Sequence, residues 1–412
     1  MRILIVAKFL HVDGGVETYL NWQVRALVNS GVEVGLVGMR PHPKRSLMDF
    51  PPVPVWLTPT RTFAADDRGR VQSAAAAVYS VAARKVMQRA LAEFRPDAVH
   101  FHTTCYHLTS SVVSAAAQQR LPLFLTAHEY KLICTNQLLY DDRRQEICTD
   151  CLAARAGTAL AAPIRRACVK GSRAASTVAA VEGVVSGRIW RRAAPHIFAP
   201  SRFMATMLIH DGWPAAQVEY LDLPWPALQL SQHSERRRLV YVGRLVAGKG
   251  VGTLVEAWRR IAERHPDIEL RIVGDGDQKP ALERLVGDAA VPRTHFTGRL
   301  PASEIPTELS AAVITAQPAR WHDNSPLTVR ESLAAGVPAV VSAVGGMPEL
   351  VGPSSGYVVD DSSPAAWART LDLALRERRV NSPALVEEVT GRRMTAERHL
   401  QVMIDSYQSE TR

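Results

Sequence analysis

Strand-length apolar runs alternate with longer helical patterns along almost the whole chain of 412 residues. Runs such as Ile3-Leu-Ile-Val-Ala7 are far shorter than the roughly 20 apolar residues that a membrane helix needs. The alternation is typical of βαβ units and predicts an α/β fold with parallel sheets. Strands are predicted over 2–7, 33–39, 53–57, 98–102, 123–127 and 196–199, and again over 239–242, 269–273, 295–297, 313–316, 339–342 and 356–359.

The pattern breaks once, in the segment that begins Leu223-Pro-Trp-Pro226 and runs through a polar stretch to Arg237. Prolines and polar runs of this kind are typical of inter-domain linkers, and the chain length also favours two domains. We therefore predict an N-terminal domain over 1–222, a linker over 223–237 and a second domain over 238–385. Segment 386–412 is predicted to be a C-terminal helix that packs back on the first domain.

The net charge of +9 is concentrated in segment 165–192. Ile189 and Trp190 lie within it, which suits a membrane surface. The run is either a solvated basic face or a contact surface for an anionic membrane or acceptor, and both interpretations stay open. Nucleic-acid binding is not expected, because no motif interleaves aromatic and basic residues. The segment contains a single acid, Glu182, against Arg165, Arg166, Lys170, Arg173, Arg188, Arg191 and Arg192.

The apolar stretch after Met1-Arg2 is too short for the core of a signal peptide, and no small-residue cleavage site follows it. We therefore expect a cytoplasmic protein. Segment 165–192 is the candidate for peripheral contact with the inner face of the membrane.

Two cations stand in a glycine-bearing loop after a predicted strand, in Tyr241-Val-Gly-Arg244-Leu-Val-Ala-Gly-Lys249-Gly250. A nucleotide diphosphate requires cationic donors, flexible backbone and the free amides of a helix start. Fixed cations there stabilise the diphosphate as it leaves and gains charge. No Asp-x-Asp cluster is recognised at a strand end, so no catalytic metal is predicted. Taken alone, the loop also fits an ordinary surface turn.

Two carboxylates, Asp323 and Glu331, flank a helix start at Asn324-Ser325-Pro326. The first is predicted to precede the helix and the second to lie about two turns inside it. The apolar neighbours of Glu331 indicate partial burial, where a carboxylate needs a partner such as the hydroxyls of a ribose. The alternative is a capping Asp323 with a solvent-facing Glu331. Arg330 is expected to be an ordinary surface residue.

These two segments, in this order, resemble the retaining glycosyltransferases of family 4, which have the GT-B fold. The resemblance covers nearly the whole chain. It implies two facing Rossmann-like domains with a nucleotide-sugar donor in the cleft, and transfer with retained configuration and no dedicated base. Further motifs that carry it are Gly14-Gly-Val-Glu17, His128-Glu-Tyr130, Ala199-Pro-Ser201, Val273-Gly-Asp-Gly276, Phe296-Thr-Gly-Arg299 and Gly345-Gly-Met-Pro-Glu349.

Carried onto matching positions, the resemblance implies that Arg244 and Lys249 clamp the diphosphate and that Glu331 binds the ribose hydroxyls. Backbone at Gly298 and Arg299 would read the edge of the base. Backbone contacts to the donor sugar and phosphate would come from Asn324, Ser325, Pro326, Leu327 and Thr328.

In the first domain, the resemblance implies that Gly14 and Gly15 allow a close approach of the first helix to the distal phosphate and acceptor. His128 would hydrogen-bond the donor sugar near the reacting carbon. His100 and His102, at the end of a predicted strand, are expected to meet sugar hydroxyls.

One position departs from the family pattern. The first carboxylate is ordinarily glutamate, whereas this chain has Asp323, which is one methylene shorter. It can still reach the sugar hydroxyls, but the change bears on which sugar is accepted. We expect a hexose-type donor, with a UDP-sugar as the leading candidate, and leave the acceptor open among surface glycans, lipid-linked molecules and natural products.

Four cysteines follow His128 with the spacing C-x13-C-x2-C-x16-C. A CxxC pair with two outlying thiols can supply the four ligands of a structural zinc ion, which would staple the insertion over 131–172. Reduced free thiols and redox or iron–sulfur chemistry are the alternatives. The insertion resembles one found in a subgroup of the family. The four residues are Cys134, Cys148, Cys151 and Cys168.

Two rival functions remain. Nucleotide-sugar 2-epimerases share the two-domain architecture and bind the same class of donor without transferring its sugar. The second rival is a zinc-organised scaffold at a membrane, without enzymatic activity. The presence of Arg244, Lys249 and Glu331 favours an enzyme over the scaffold.

Overall fold

The computed structural model describes residues 1–11, 14–43, 45–59, 70–153, 156–230 and 236–411. The chain forms two compact units. Unit 1 consists of Met1–Arg143, Cys148–Asp222 and Glu397–Arg412, and unit 2 of Arg144–Ile147 and Leu223–Ala396. The first described residues of the predicted linker belong to unit 2, where Gln229 N–H donates to Ala334 O at 2.9 Å. Linker residues 231–235 lie outside the described residues.

Up to residue 222, strands and helices alternate as βαβ units do. The strands are β1 (Arg2–Phe9), β2 (Glu33–Met39), β3 (Val55–Thr58), β4 (Ala98–Phe101), β5 (Leu123–Thr126), β6 (Tyr140–Asp141), β7 (Glu146–Ile147), β8 (His196–Ala199) and β9 (Val218–Tyr220). The helices are α1 (Gly15–Asn29), α2 (Arg70–Val78), α3 (Val81–Phe94), α4 (Ser111–Ala117), α5 (Ala156–Arg166), α6 (Arg173–Ala193) and α7 (Arg202–His210).

A seven-stranded sheet in the order β3-β2-β1-β4-β5-β8-β9 forms the centre of unit 1. Its neighbouring strands pair in parallel, for example Ile5 with Leu36 and with His100. Helices cover the sheet because β1, β4 and β5 are apolar runs that need burial. Ile3–Val6 are fully buried, as is Val99 in β4. Parallel strands place their carboxyl ends at one edge, where ligands bind in open α/β sheets.

Unit 2 repeats this plan with a six-stranded parallel sheet in the order β12-β11-β10-β13-β14-β15. The strands are β10 (Arg238–Val242), β11 (Glu269–Val273), β12 (Thr294–Gly298), β13 (Ala312–Gln317), β14 (Ala339–Ser342) and β15 (Gly356–Val359). The helices are α8 (Val251–Ile261), α9 (Lys279–Asp288), α10 (Ile305–Ser310), α11 (Leu327–Ala334), α12 (Pro364–Glu377) and α13 (Pro383–Arg392). The first helix, α8, buries Trp258 and Leu254 completely.

The last helix, α14 (Ala396–Thr411), completes unit 1. The predicted C-terminal segment therefore contains two helices, of which α13 stays with unit 2. In unit 1, Tyr407 OH lies 2.5 Å from His100 Nδ1, and His399 Nε2 lies 2.8 Å from Tyr19 OH. All four side chains are buried. Among the described residues, no helix has the length and apolar character that a membrane span requires.

Candidate functional site

The loop after β10 carries Arg244 and Lys249 to the start of α8. A short 3-10 turn ends at Lys249, and Gly250 follows in the left-handed region, with φ of +67°. No side chain caps α8, whereas Ser201 Oγ accepts a hydrogen bond from Met204 N–H at the start of α7. The first amides of α8 are thus available to an anion, next to two cations.

An aromatic ring lies beneath both cations. Arg244 Cζ and Lys249 Nζ lie 5.9 and 5.8 Å from the ring centroid of Trp321, which is only 8% exposed. Gly248 packs against the same ring, because a Cβ at position 248 would lie 2.1 Å from Trp321 Cε3. No role was predicted for Trp321, although it lies only two residues before Asp323. Cation–π contacts with this ring therefore hold Arg244 and Lys249 close to each other.

Asp323 forms an ion pair with Lys249 through its Oδ2 atom. The two side chains are 19% and 14% exposed. The residue thus faces one of the two cations in this structure, whereas the sequence analysis considered only a contact with sugar hydroxyls or a helix cap. Asp323 does not cap α11, whose N-cap residue is Pro326 with no side-chain hydrogen bond.

The turn before α11 is held together from within by Arg330. This side chain is fully buried and donates to Ser325 Oγ at 2.6 Å and to Pro326 O at 3.4 Å. It also lies 5.6 Å from the ring centroid of Trp225. The expectation that Arg330 lies on the surface was wrong, because helical spacing alone does not show which face of α11 packs against other segments of the protein. Asn324 is also buried.

Glu331 lies four residues after Leu327, the first residue of α11, so it is just over one turn inside the helix and not two. Leu327, Thr328 and Glu331 are half-buried. Burial raises the pKa of the Glu331 carboxyl, and within the described ranges no side chain hydrogen-bonds to it. The residue lines a pocket of about 510 Å³ together with Ile305 and Pro306. A partly desolvated carboxylate beside an apolar pocket suits the hydroxyls of a ribose.

Gly298 ends the edge strand β12 in the left-handed region, with φ of +74°. Its carbonyl accepts a hydrogen bond from Gly274 N–H at 2.9 Å, and Arg299 is exposed just beyond it. This backbone lies at the carboxyl end of the strand, where the edge of a base could be read.

An Asp-x-Asp sequence, Asp275-Gly-Asp277, does follow β11, contrary to the sequence analysis. Both carboxylates are exposed, and Asp275 Oδ1 accepts a hydrogen bond from Gly276 N–H at 2.8 Å. In the described part of the chain, no group of three or more His, Cys, Asp or Glu side chains is arranged to hold a metal ion.

In unit 1, His128 follows β5 and its Nε2 atom lies 3.0 Å from His102 Nδ1. Burial lowers the pKa of His128 to about 3, so the imidazole is neutral. A neutral imidazole both donates and accepts hydrogen bonds, which suits a sugar hydroxyl. His100 and His102 are 0% and 2% exposed, and His100 bonds to Thr126 and Tyr407 within the protein, so contact of these residues with sugar hydroxyls stays a prediction.

Gly14 and Gly15 lie at the start of α1. Gly14 is extended, with φ of −169°, and its N–H donates to Glu17 Oε2 at 2.8 Å. Among the described residues, the atom nearest to a Cβ at Gly14 would be Glu17 Oε2, at 3.7 Å, so these neighbours leave space at position 14.

The basic segment 165–192 is only partly a free surface. Arg166 bonds to Asp150 and Asp141, and Arg191 bonds to Asp211 at 2.6 Å. Trp190 is 4% exposed, so it is not available for insertion into a membrane. The exposed basic residues of the segment include Arg165, Arg173, Arg188 and Arg192.

The four cysteines of the insertion are near one another. Burial, and then the neighbouring thiolates of Cys134 and Cys151, raise the pKa of Cys168 to about 12. Burial and then Cys134 raise the pKa of Cys151 to about 11. The Cys148 N–H donates to Leu139 O at 2.9 Å, which brings the CxxC loop beside the loop of Cys134.

The sequence matches two family descriptions that together cover most of its length. Residues 14–224 match the glycosyl transferase 4-like domain, and residues 229–387 match the glycosyl transferases of group 1. The chain belongs to the glycosyl transferase 4-like family. The first match spans Gly15 and His128, and the second spans Arg244 and Glu331.

Curated relatives of this chain match over shorter segments. A GDP-mannose-dependent monoacylated alpha-(1-6)-phosphatidylinositol monomannoside mannosyltransferase of Corynebacterium glutamicum is 36% identical over 125 residues, which are 29% of this chain and 32% of the relative. A D-inositol 3-phosphate glycosyltransferase of Corynebacterium kroppenstedtii is 30% identical over 183 residues, 38% of this chain and 40% of the relative. The chain thus spans about a third to two-fifths of the length of these relatives.

Solved structures share the fold over the whole chain. Anabaena HepE, solved in complex with UDP, matches 99% of this chain and 100% of its own, with a TM-score of 0.67 and 16% identity. The fold is therefore that of the GT-B glycosyltransferases, built from two Rossmann-like domains.

Proposed function

We propose that this protein is a retaining, metal-independent glycosyltransferase that moves a hexose-type sugar from a nucleotide diphosphate donor to an acceptor. The observation that carries the proposal is the convergence of Arg244 and Lys249 on Trp321 at the uncapped start of α8. Two cations and free helix amides form a site for a diphosphate leaving group. Membership in the glycosyl transferase 4-like family supports the reaction class.

Each residue has a defined task in this proposal. Arg244 and Lys249 bind the diphosphate, whose charge increases as its bond to C1 of the sugar breaks. Glu331 accepts hydrogen bonds from the ribose hydroxyls, and neutral His128 hydrogen-bonds the donor sugar. The acceptor oxygen bonds to C1 on the face that the diphosphate leaves, and its proton passes to the departing phosphate. Retention follows from this geometry without a dedicated base.

We infer a UDP-sugar as the donor, with the UDP complex of Anabaena HepE in support. The mannosyltransferase relative, whose name specifies GDP-mannose, makes a GDP-sugar the competing choice. A thermal-shift and calorimetry panel of UDP-glucose, UDP-galactose, UDP-N-acetylglucosamine and GDP-mannose tests this. Tighter binding of GDP-mannose than of all three UDP-sugars would overturn the base assignment.

Replacing Arg244 with alanine tests the site itself. We expect donor binding to weaken by about 1.5–3 kcal/mol, the value of a charge-assisted contact, with the fold intact. Arg259→Ala is the matched control, because Arg259 lies on the outer face of α8 and pairs with Glu256 at 3.1 Å. Equal donor affinity of the two variants would remove Arg244 from the site.

Analysis of the reaction products distinguishes a glycosyltransferase from the alternative, a nucleotide-sugar 2-epimerase. A transferase releases nucleoside diphosphate in proportion to glycosylated acceptor, whereas a 2-epimerase converts the sugar without needing any acceptor. Extracts of bacterial lipids and of polar metabolites provide an acceptor screen with radiolabelled donor. Conversion of the labelled nucleotide sugar to its epimer, without transfer, would favour the rival function.

We also propose that the exposed arginines of segment 165–192 contact anionic membrane lipids. Each basic residue near such a surface contributes about 1 kcal/mol, so four of them give measurable attraction. Vesicles with 30% phosphatidylglycerol test this by co-sedimentation, with pure phosphatidylcholine vesicles as the control. The variant Arg188→Glu/Arg192→Glu should lose binding, and equal binding to both vesicle types would contradict the proposal.

We propose that Cys134, Cys148, Cys151 and Cys168 bind a structural zinc ion. Their sulfurs are neighbours that raise one another's pKa, and a divalent cation among them would offset that repulsion. Rotations of the thiol side chains are needed to surround the ion, because these thiols are not arranged as a metal site in the described structure.

The segments around this cluster are held together by one half-buried arginine, Arg166. Arg166 donates to both oxygens of Asp150, at 2.6 and 3.1 Å, and to Asp141 Oδ2 at 3.1 Å. It lies two residues before Cys168, and Asp150 lies inside the CxxC loop. One side chain thus fixes three segments that carry or flank the thiols.

Elemental analysis of the purified protein tests the zinc proposal. We expect one zinc per chain, lost in Cys148→Ser/Cys151→Ser together with stability of the insertion. Cys105→Ser is the matched control, because this buried thiol faces Glu129 and Gln137 instead. A chain without zinc, with the four thiols titrating freely, would refute the metal.

A further inference from the structure

The ion pair between Lys249 and Asp323 joins two residues of the diphosphate site itself. Lys249 has three N–H donors, and the pair uses at least one of them. Arg244 makes no ion pair within the described residues, and its guanidinium faces the ring of Trp321. The charge of Lys249 is therefore partly neutralised, whereas Arg244 keeps its full positive charge.

Asp323 is held in place by its backbone. Its N–H donates to Trp321 O at 2.9 Å, and its carbonyl accepts from Gly346 N–H at 2.9 Å. Gly345 packs on the same carbonyl, since a Cβ there would lie 2.2 Å from Asp323 O, and φ at Gly345 is +62°. The backbone that carries the carboxylate is therefore fixed in a turn, whereas Lys249 reaches it through a longer and more flexible side chain.

We infer that Asp323 is a positioning residue for Lys249 and a counter-ion that competes with the donor diphosphate for the charge of this lysine. The inference rests on the proposed function of the site. Before binding, Asp323 holds the ammonium group over Trp321. When a diphosphate arrives, Lys249 shares or leaves the carboxylate, and repulsion between Asp323 and phosphate weakens binding. After transfer, recapture of Lys249 by Asp323 helps the nucleoside diphosphate to leave.

A counter-ion role for Asp323 and a sugar-contact role predict different changes in the affinity for free UDP when the residue is replaced. Removing a residue that only touches the sugar leaves the affinity for free UDP unchanged and weakens the binding of UDP-sugar. Removing a counter-ion makes free UDP bind more tightly. Asp323→Asn retains the shape of the side chain and removes its charge, so the sign of the change in UDP affinity separates the two roles.

The experiment is calorimetric titration with UDP, and with GDP if the wild type binds it more tightly. We expect Asp323→Asn to bind the diphosphate about three- to tenfold more tightly, the effect of one partly exposed ion pair. Asp288→Asn is the control for loss of one charge, because Asp288 is exposed at the end of α9. Its affinity should equal that of the wild type.

A double-mutant cycle shows whether Lys249 transmits the effect. In a Lys249→Gln background, Asp323→Asn should give a clearly smaller gain in diphosphate affinity, because there is no ammonium group to release and only the repulsion between carboxylate and phosphate is removed. A gain of the same size in that background would overturn the inference, as would equal or weaker binding to Asp323→Asn alone. Asp323→Ser provides a second uncharged variant if the asparagine protein does not fold.

The same titrations distinguish this inference from the proposed function. If the wild type binds neither UDP nor GDP, the donor site itself is wrong. If the wild type binds and Asp323→Asn does not bind more tightly, only the counter-ion role fails. Steady-state kinetics add a second readout, since slower release should lower kcat in Asp323→Asn and make free UDP a stronger product inhibitor.

Discussion

Glu331→Gln should stabilise the ligand-free protein while it weakens nucleotide binding. The carboxylate is half-buried beside a pocket of about 510 Å³, burial raises its pKa, and the described side chains give it no hydrogen bond. Glutamine keeps a polar group at this position but removes the charge, whose desolvation is the larger cost, and because the pocket admits water we expect a gain of only about 1 kcal/mol. Residues that bind a ligand often lower the stability of the ligand-free protein in this way.

The sign of the pH dependence follows from the raised pKa of Glu331. Below the unfolded pKa the carboxyl is protonated in both states, so glutamate carries no penalty and glutamine no advantage. As the pH rises through the folded pKa, the folded glutamate must ionise in a poor environment and loses stability. The advantage of glutamine is therefore absent at pH values below the unfolded pKa and complete only above the raised folded pKa.

Urea unfolding at about pH 4 and 8 measures this difference in the free energy of unfolding. Glu304→Gln is the matched control, because Glu304 is exposed in the same unit and should show neither change. In parallel, UDP should bind to Glu331→Gln roughly 10- to 150-fold more weakly, as expected for loss of a charge-assisted contact of about 1.5–3 kcal/mol. Equal stability at pH 8, or unchanged UDP affinity, would refute the reasoning.

Three further predictions concern the packing and protonation of the two units. Tyr407→Phe removes the hydroxyl 2.5 Å from His100 Nδ1 in a buried site and should cost about 1–3 kcal/mol in urea unfolding, where no loss would contradict it. Gly248→Ala places a Cβ 2.1 Å from Trp321 Cε3. At an overpacking cost of about 1–3 kcal/mol, the displaced loop should weaken UDP binding roughly five- to 150-fold by calorimetry. Burial lowers the pKa of His128 to about 3, so this residue should stay neutral and kcat/KM should show no inflection from it between about pH 5 and 8. An inflection in that range that disappears in His128→Gln would contradict this prediction.

The regular core of both units was predictable from the sequence. β2, β11, β14 and β15 have the predicted bounds, because each is an apolar run closed by glycine, proline or polar residues. The short β9 over Val218–Tyr220 was missed, since its residues are only half-buried and its apolar run is brief. Periodicity identifies strands that are long and buried, and it overlooks a strand of three half-buried residues such as β9.

The polar contacts of the site could not be predicted in the same way. Lys249 and Asp323 were both named, but their pairing depends on how two turns from different strands meet. Arg330 looked like a surface residue because a helix of eight residues has no long apolar face against which to judge it. No role could be predicted for Trp321, since only the structure shows that two cations lie over its ring.

The return of α14 to unit 1 has a consequence for biosynthesis. A ribosome completes all of unit 2 before it releases the 16 residues that finish unit 1. Until then Tyr19 and His100 lack their partners on the last helix, so the first unit to emerge is the last to be complete. We expect nascent chains to hold a native unit 2 beside an unfinished unit 1, and chains that stop short of Tyr407 to be recognised by chaperones and proteases as incomplete.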